Sequence, residues 1–164
     1  MEKADFLASS TQTKKKEFFD FDHIDYYFNN YDKSKLSLLY DNKSKSELDS
    51  LKMGIIRGHI PTNISDSSFI AKLEQIGYNK ISIDKSKFED INKIFVEKPV
   101  NDNYAAACKE VYRDILILKK NNTVIGIAKI CFDCMMSDIH GSSANTDNFG
   151  QDGDYKKLEN ILRQ

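Results

Sequence analysis

The sequence predicts an α+β fold in which a helical N-terminal two-thirds packs on a small antiparallel sheet containing a β-hairpin over residues 112–132. Three observations predict this arrangement. Two runs of branched apolar residues, 115–118 and 124–130, flank a pair of asparagines. Apolar residues at helical spacing, preceded by capping residues, fill most of the chain before the hairpin. A final helical pattern follows a polar stretch after the hairpin.

The hairpin is the strongest of these signals. Asn121 and Asn122 tolerate the positive φ angles that a two-residue turn requires. Such a turn places the following residues opposite each other: Leu118 and Ile125, Leu116 and Ile127, Asp114 and Lys129. Both faces of this ribbon are apolar at the centre, whereas a solvated antiparallel ribbon alternates apolar and polar residues. We therefore expect the hairpin to be central and covered on both sides, or covered on one side and partnered on the other.

Length and charge define the domain and exclude some partners. The chain has 164 residues, which suits one domain with a substantial core better than two. We assign residues 16–164 to a single α+β domain and residues 1–15, which hold few apolar side chains, to a flexible tail. The formal net charge is −1, so no global field favours nucleic acid or an anionic membrane. A charged fraction of 30% is ordinary for a soluble globular protein.

The segment after the tail is rich in aromatic residues. Apolar residues at helical spacing predict a core-facing helix here. The residues at that spacing are Phe21, Ile24, Phe28 and Tyr31. A second interpretation makes the segment a partner-binding face, because Tyr and Phe are common interface anchors. The candidate partner-binding residues of that face are Tyr26, Tyr27 and Tyr31.

Three more helices are predicted before the hairpin. The first opens with a capping box at Ser44 and ends before Gly58. The second lies between Ser65 as its cap and Gly77 as its terminating residue. The third opens with a capping box at Ser86. Arg57 and His59, on either side of Gly58, could also bind an anion, although such short basic runs recur by chance.

The remaining elements are short or come last. Residues 35–40 predict a helical turn and residues 81–83 a short strand. Residues 104–111 are ambiguous, because alanines favour a helix but the segment leads into the hairpin. Residues 137–153 are polar and contain glycines, which predicts a long loop. Asp154 then caps a last amphipathic helix.

Cys131 and Cys134, at the end of the hairpin, are the leading candidates for chemistry. Two thiols at this spacing can bind zinc or cycle as a redox dithiol. Residues three apart in a continuing strand point to opposite faces, so the thiols converge only if the chain turns between them. A zinc site needs about four ligands, and His140 and Cys108 are the nearest remaining candidates. The alternative interpretation is that both cysteines are small buried residues beside the sheet.

The polar loop is the second candidate site, because long loops on a rigid sheet often carry function. Its candidate partner-binding residues are Asp138, Asp147 and Asp152. The acidic residues do not fit an EF-hand, since Phe149 would occupy the fifth position and Lys156 the twelfth, where glutamate belongs. A solvated loop is the simpler interpretation.

The functional prediction is a small bacterial non-catalytic protein that acts by binding another protein, such as an inhibitor or an immunity protein that neutralises a toxin. Small size, a surplus of aromatic residues and the lack of a cofactor motif support it. The chain has no dinucleotide or P-loop motif and no zinc-protease or nucleophile-elbow motif, which argues against a nucleotide-dependent enzyme or a common hydrolase. We expect no cofactor. The alternative is a thiol-redox or zinc-binding protein that uses Cys131 and Cys134.

The expected location is the cytoplasm. No run approaches the roughly 18 apolar residues needed to span a bilayer. The first residues lack the apolar centre of a signal peptide. Three cysteines are an odd number and do not suggest a disulfide-stapled secreted scaffold. The alternative is an exported protein whose signal peptide has already been removed.

Overall fold

The computed structural model describes residues 15–99 and 107–164. Five strands, four α-helices and three 3₁₀ turns lie within these ranges. The strands are β1 (His23–Phe28), β2 (Asn79–Ile81), β3 (Asp114–Lys120), β4 (Thr123–Cys131) and β5 (Met136–His140). The helices are α1 (Lys33–Asp41), α2 (Glu47–Ile56), α3 (Phe88–Ile94) and α4 (Asp154–Leu162). The 3₁₀ turns are Ser68–Lys72, Lys85–Lys87 and Gln151–Gly153.

The five strands form one antiparallel sheet in the order β2-β1-β3-β4-β5. One face packs against Phe18, Phe19, α3 and α4. The other face packs against α1, α2 and the residues around the first 3₁₀ turn. The central strand β3 has residues 115–118 fully buried. The sheet is thus the middle of three layers, which confirms that the hairpin is central and covered on both sides.

The predicted fold class is wrong in its proportions. The structure is mixed in helix and strand, but it is strand-rich, and its short helices do not dominate the N-terminal two-thirds. The predicted aromatic helix is instead β1, which pairs with both β2 and β3. Ile24 and Tyr26 face one apolar layer and Tyr27 faces the other. A strand buried on both faces has no polar alternation, so its apolar residues fell at helical spacing by coincidence.

The hairpin turn is confirmed, but the predicted register is wrong. Asn121 and Asn122 have φ angles of 48° and 65°, as a two-residue turn requires. The pairing shifts by one residue at a β-bulge between Lys119 and Leu118. From Leu118 back to the start of β3 the shifted register holds, so Asp114 lies opposite Ile130 and not opposite Lys129. Because side chains alternate between faces, this shift places Asp114 and Lys129 on opposite faces of the sheet.

The other elements follow the predictions in type more than in position. Helix α2 is capped by Ser46, whose side chain accepts from the Asp49 amide, two residues after the predicted cap. A 3₁₀ turn replaces the helix predicted after Ser65, although Gly77 has the expected positive φ angle of 100°.

Helices α3 and α4 are confirmed, but their predicted caps are wrong. Ser86 lies in a 3₁₀ turn that Asp84 caps, and Asp154 is the first residue of α4 and makes no capping hydrogen bond. The short strand β2 begins two residues before its predicted position.

The predicted loop over residues 137–153 is wrong at its start, because Met136–His140 forms the edge strand β5. Its polar residues are compatible with a strand, since β5 pairs with β4 on one side only. Residues 107–111 of the ambiguous segment have no regular secondary structure, and residues 104–106 lie outside the described ranges. The predicted tail, apart from residue 15, also lies outside them.

Candidate functional site

A cleft of about 350 Å³ lies where α1, the end of α2 and the segment before β3 meet. We call it the cationic cleft. Its lining residues are Lys33, Ser37, Tyr40, Arg57, His59, Lys109 and Glu110. Three side chains that are cationic at neutral pH, those of Lys33, Arg57 and Lys109, therefore line the cleft with one carboxylate, that of Glu110. This balance makes the cleft suited to an anionic ligand.

Helix α1 supplies one wall of the cleft. The Asp32 side chain accepts a hydrogen bond from the Ser34 amide and so starts the helix. Residues four and then three positions apart lie on one helical face, which brings Lys33, Ser37 and Tyr40 together. Tyr40 is 66% exposed, so the cleft has an aromatic residue at its edge beside its positive charges.

The opposite wall comes from two chain segments that are joined by hydrogen bonds. Helix α2 ends at Ile56, and Arg57 is its C-cap residue. Arg57 Nη1 donates to the carbonyl oxygen of Glu110 over 2.9 Å. The Tyr112 amide donates to the carbonyl oxygen of Ile56 over 3.0 Å. These contacts hold the irregular segment before β3 against the end of α2. The first of them places Glu110 at the cleft.

The two cysteines that the sequence placed at one site lie in one small buried cluster with Tyr112, but they differ in bonding state. Cys134 forms a disulfide with Cys108, with 5.7 Å between their Cα atoms. Cys131 is a buried free thiol, and its sulfur accepts from the Val111 amide over 3.4 Å. The sequence does not predict this disulfide, because Cys108 and Cys134 are 26 residues apart and the Cys-x-x-Cys spacing relates Cys134 to Cys131 instead.

The candidate zinc ligands are not brought together. Cys131 lies opposite Met136 in the β4–β5 ladder, whereas His140 lies opposite Ile127. Four residues along a strand correspond to about 13 Å, which is too far for two ligands of one ion. Among the described residues, no group of three or more histidine, cysteine, aspartate or glutamate side chains is placed to hold a metal ion.

Asp138 and His140 instead belong to an ionic cluster with Lys129. The Lys129 side chain is fully buried, and its Nζ lies 2.7 Å from Asp138 Oδ2. It also donates to the carbonyl oxygen of Ile60 over 2.6 Å. His140 Nε2 lies 2.8 Å from Asp138 Oδ1. Burial lowers the pKa of Lys129, and the hydrogen bond that Lys129 donates to Asp138 opposes that shift. The Asp138 carboxylate is therefore paired with Lys129 within the protein itself.

The tyrosines predicted as interface anchors divide into buried and partly exposed residues. Tyr26 is fully buried and donates to Asp114 Oδ1 over 2.6 Å, and Arg163 pairs with the same carboxylate. Burial raises the pKa of Tyr26, and the nearby Asp114 carboxylate raises it further. Tyr27 is 6% exposed and lies in the opposite apolar layer. Only Tyr31 keeps a partly exposed ring, with Lys52 Nζ 4.3 Å from its centroid.

The remaining loop candidates, Asp147 and Asp152, are exposed. The backbone amide of Asp147 donates to Asn145 Oδ1 over 2.9 Å. The carboxylate of Asp147 takes no part in this hydrogen bond. Asp152 has a φ angle of 58° in the turn before α4. Neither residue lines the cationic cleft. Of the residues in that cleft, Arg57 and His59 carried the only sequence signal, because the others come from distant segments.

Comparison of the chain with protein-family models, curated proteins and solved structures finds no match. The described part of the chain contains no helix with the length and apolarity needed to cross a bilayer. The described residues thus form a three-layer domain of helices and an antiparallel sheet, with the cationic cleft beside the segment that enters β3.

Proposed function

We propose that this protein is a non-catalytic binding protein whose cationic cleft takes an acidic segment of a partner protein. The cleft itself is the observation that carries the proposal, since Lys33, Arg57 and Lys109 line it together with one carboxylate, that of Glu110. Lys33 Nζ also lies 3.4 Å from Asp133 Oδ2, in a solvent-exposed ion pair of the kind that contributes little energy. Complementary charge across an interface accelerates encounter and excludes partners of the wrong sign. The overall charge of −1 means that this selectivity arises locally and not from a global field.

Tyr40 gives the proposed interface an apolar component. Its ring is 66% exposed at the edge of the cleft. Tyrosine and arginine are enriched among the residues that dominate binding energy at protein interfaces, because each combines apolar area with hydrogen-bonding groups. The preferred partner segment therefore combines carboxylates with an aromatic or aliphatic side chain. An inhibitor or immunity protein that neutralises a bacterial toxin is one specific form of this function.

The disulfide bears on the compartment in which such a partner is met. Disulfides persist in oxidising compartments and are rare in the cytoplasm. The Cys108–Cys134 bond therefore favours the exported location over the cytoplasmic one. It also weakens the zinc and dithiol alternative at Cys131 and Cys134, because Cys134 is already bonded to another cysteine.

The experiment measures binding of a fluorescein-labelled peptide of repeated Glu-Glu-Tyr by fluorescence anisotropy. The test variant is Lys33→Glu/Lys109→Glu, which reverses two exposed charges of the cleft and leaves Arg57 in place. We expect its affinity to fall at least about tenfold, which corresponds to about 1.4 kcal/mol. The affinity of the wild-type protein should also weaken as salt is added.

The matched control is Lys72→Glu/Lys85→Glu, which makes the same change in net charge at two exposed lysines outside the cleft. Its affinity should stay within about twofold of wild type, since neither lysine lines the cleft and salt screens exposed charges that do not touch the ligand. An equal loss in both double variants would show that only net charge matters. No binding by the wild-type protein would reject the cleft as a site for acidic segments.

A further inference from the structure

The cationic cleft and the disulfide share one short segment of chain. Lys109 and Glu110 line the cleft, and they come directly after Cys108. Residues 107–113 form neither helix nor strand, so no backbone ladder holds them in place. The position of this wall of the cleft therefore depends on the individual contacts of the segment.

Few described contacts hold the wall upstream of Val111. One is the disulfide to Cys134. Another is the hydrogen bond from Arg57 Nη1 to the carbonyl oxygen of Glu110 over 2.9 Å. The Cys134 sulfur also lies 3.5 Å from the carbonyl oxygen of Lys109, but a disulfide sulfur has no proton to donate. The covalent link is thus the strongest restraint on Lys109.

The two ends of the disulfide differ in their surroundings. Cys134 is 3% exposed and lies in the tight connection between β4 and β5, packed with Tyr112 and Cys131. Cys108 is only partly buried and belongs to the irregular segment. Breaking the bond would leave Cys134 held by the sheet and would release Cys108. A change confined to this bond would therefore move the wall of the cleft and leave the sheet intact.

We propose that the Cys108–Cys134 disulfide is a redox switch that keeps the cationic cleft in its binding form, so that reduction by a dithiol weakens partner binding. The proposal rests on the proposed function, because it concerns the same cleft. It adds a condition, which is that the protein binds its partner in an oxidising environment and releases it in a reducing one.

The chemistry balances with an ordinary dithiol reductant. One thiolate of the dithiol attacks Cys108, the more exposed sulfur, and Cys134 leaves as a thiolate. The second thiol of the reagent then displaces Cys108 and closes a cyclic disulfide. The reagent loses two electrons and two protons, and the two cysteines gain them as thiols. The freed Cys134 thiol can offer only a weak hydrogen bond to Lys109 in place of the covalent link.

The experiment compares oxidised wild-type protein, wild-type protein reduced with dithiothreitol, and the variant Cys108→Ser/Cys134→Ser. Anisotropy of the labelled Glu-Glu-Tyr peptide reports affinity, and hydrogen exchange followed by mass spectrometry reports order in residues 107–113. We expect reduction to weaken binding at least about fivefold, which is the lower end of usual coupling between sites. Exchange in residues 107–113 should accelerate, while exchange in β3 and β4 should stay slow.

The serine variant should bind like the reduced protein and should not respond to dithiothreitol, which controls for effects of the reagent. If the variant does not fold, reduction of the folded wild-type protein gives the same comparison without a substitution. Strong binding by the oxidised protein that is unchanged on reduction would overturn the switch and leave the proposed function standing. Failure of the oxidised protein to bind the peptide would overturn both.

Discussion

Two buried charged residues, Asp114 and Lys129, lie on opposite faces of the sheet, and each has its own partners. Asp114 accepts from Tyr26 and pairs with Arg163 near the C-terminus of the chain. Lys129 pairs with Asp138 on the neighbouring strand. A buried charge costs several kcal/mol in desolvation unless a partner compensates it. Each pair therefore links one face of the sheet to a specific neighbour.

The Lys129 pair gives a residue-scale prediction. The substitution Asp138→Asn leaves the fully buried Lys129 without its anionic partner, so we expect a loss of about 2–3 kcal/mol in the free energy of unfolding. The loss should shrink as the pH rises toward the ordinary lysine pKa. In the folded variant, burial holds the pKa of Lys129 below its value in the unfolded chain. The unfolded chain therefore binds more protons over this pH range, and stability rises with pH. Urea denaturation at pH about 7 and about 9.5 measures both effects.

Asp147→Asn is the matched control for this prediction, because it makes the same chemical change at an exposed residue. Its unfolding free energy should stay within about 0.5 kcal/mol of wild type, as is usual for surface substitutions. Equal effects of the two substitutions would show that Asp138 does not stabilise Lys129. That outcome would return Asp138 to the set of candidate partner-binding residues.

At the scale of elements, the β-bulge between β3 and β4 determines which residues meet each apolar layer. It follows the turn closely, because Lys119 still pairs with Val124 while Leu118 pairs with Gly126. An added Cβ on Gly126 would overlap a ring carbon of Phe19. The ring thus packs directly on the glycine backbone, and the bulge brings that glycine under it.

This close approach gives an element-scale prediction. The substitution Gly126→Ala should destabilise the protein by about 1–3 kcal/mol, because the new methyl group overlaps the buried ring of Phe19. Adding Phe19→Leu should recover part of the loss, since a smaller side chain makes room for the methyl group. Thermal unfolding of the three variants, including Phe19→Leu alone, gives the coupling. Purely additive effects would contradict the contact.

Local signals in the sequence predicted some elements and could not predict others. The sequence predicts the turn at Asn121 and Asn122 because its chemistry is contained in two residues. It does not predict the bulge, because a bulge adds one residue to a strand with no fixed composition, and here both registers bury apolar side chains. It predicts a helix in place of strand β1 because burial on both faces removes the alternation that identifies strands.

At the scale of the whole molecule, the candidate site consists of segments that only the fold brings together. Lys33 and Arg57 lie on two consecutive helices, and Lys109 lies on the segment that enters the central strand. No sequence spacing relates these positions, so the cationic cleft could not be predicted beyond the basic residues that follow α2. The same is true of the disulfide, which joins that segment to the β4–β5 connection.

The cationic cleft is the central claim, and mapping the bound peptide on the protein tests it most directly. The measurement is a titration of ¹⁵N-labelled oxidised protein with the unlabelled Glu-Glu-Tyr peptide, followed by amide chemical shifts. The account predicts that the largest shifts cluster at the residues of the cleft, including Lys33, Tyr40, Arg57 and Lys109. Shifts centred instead on the edge strand β2 or on helix α4, with the cleft amides unchanged, would contradict it.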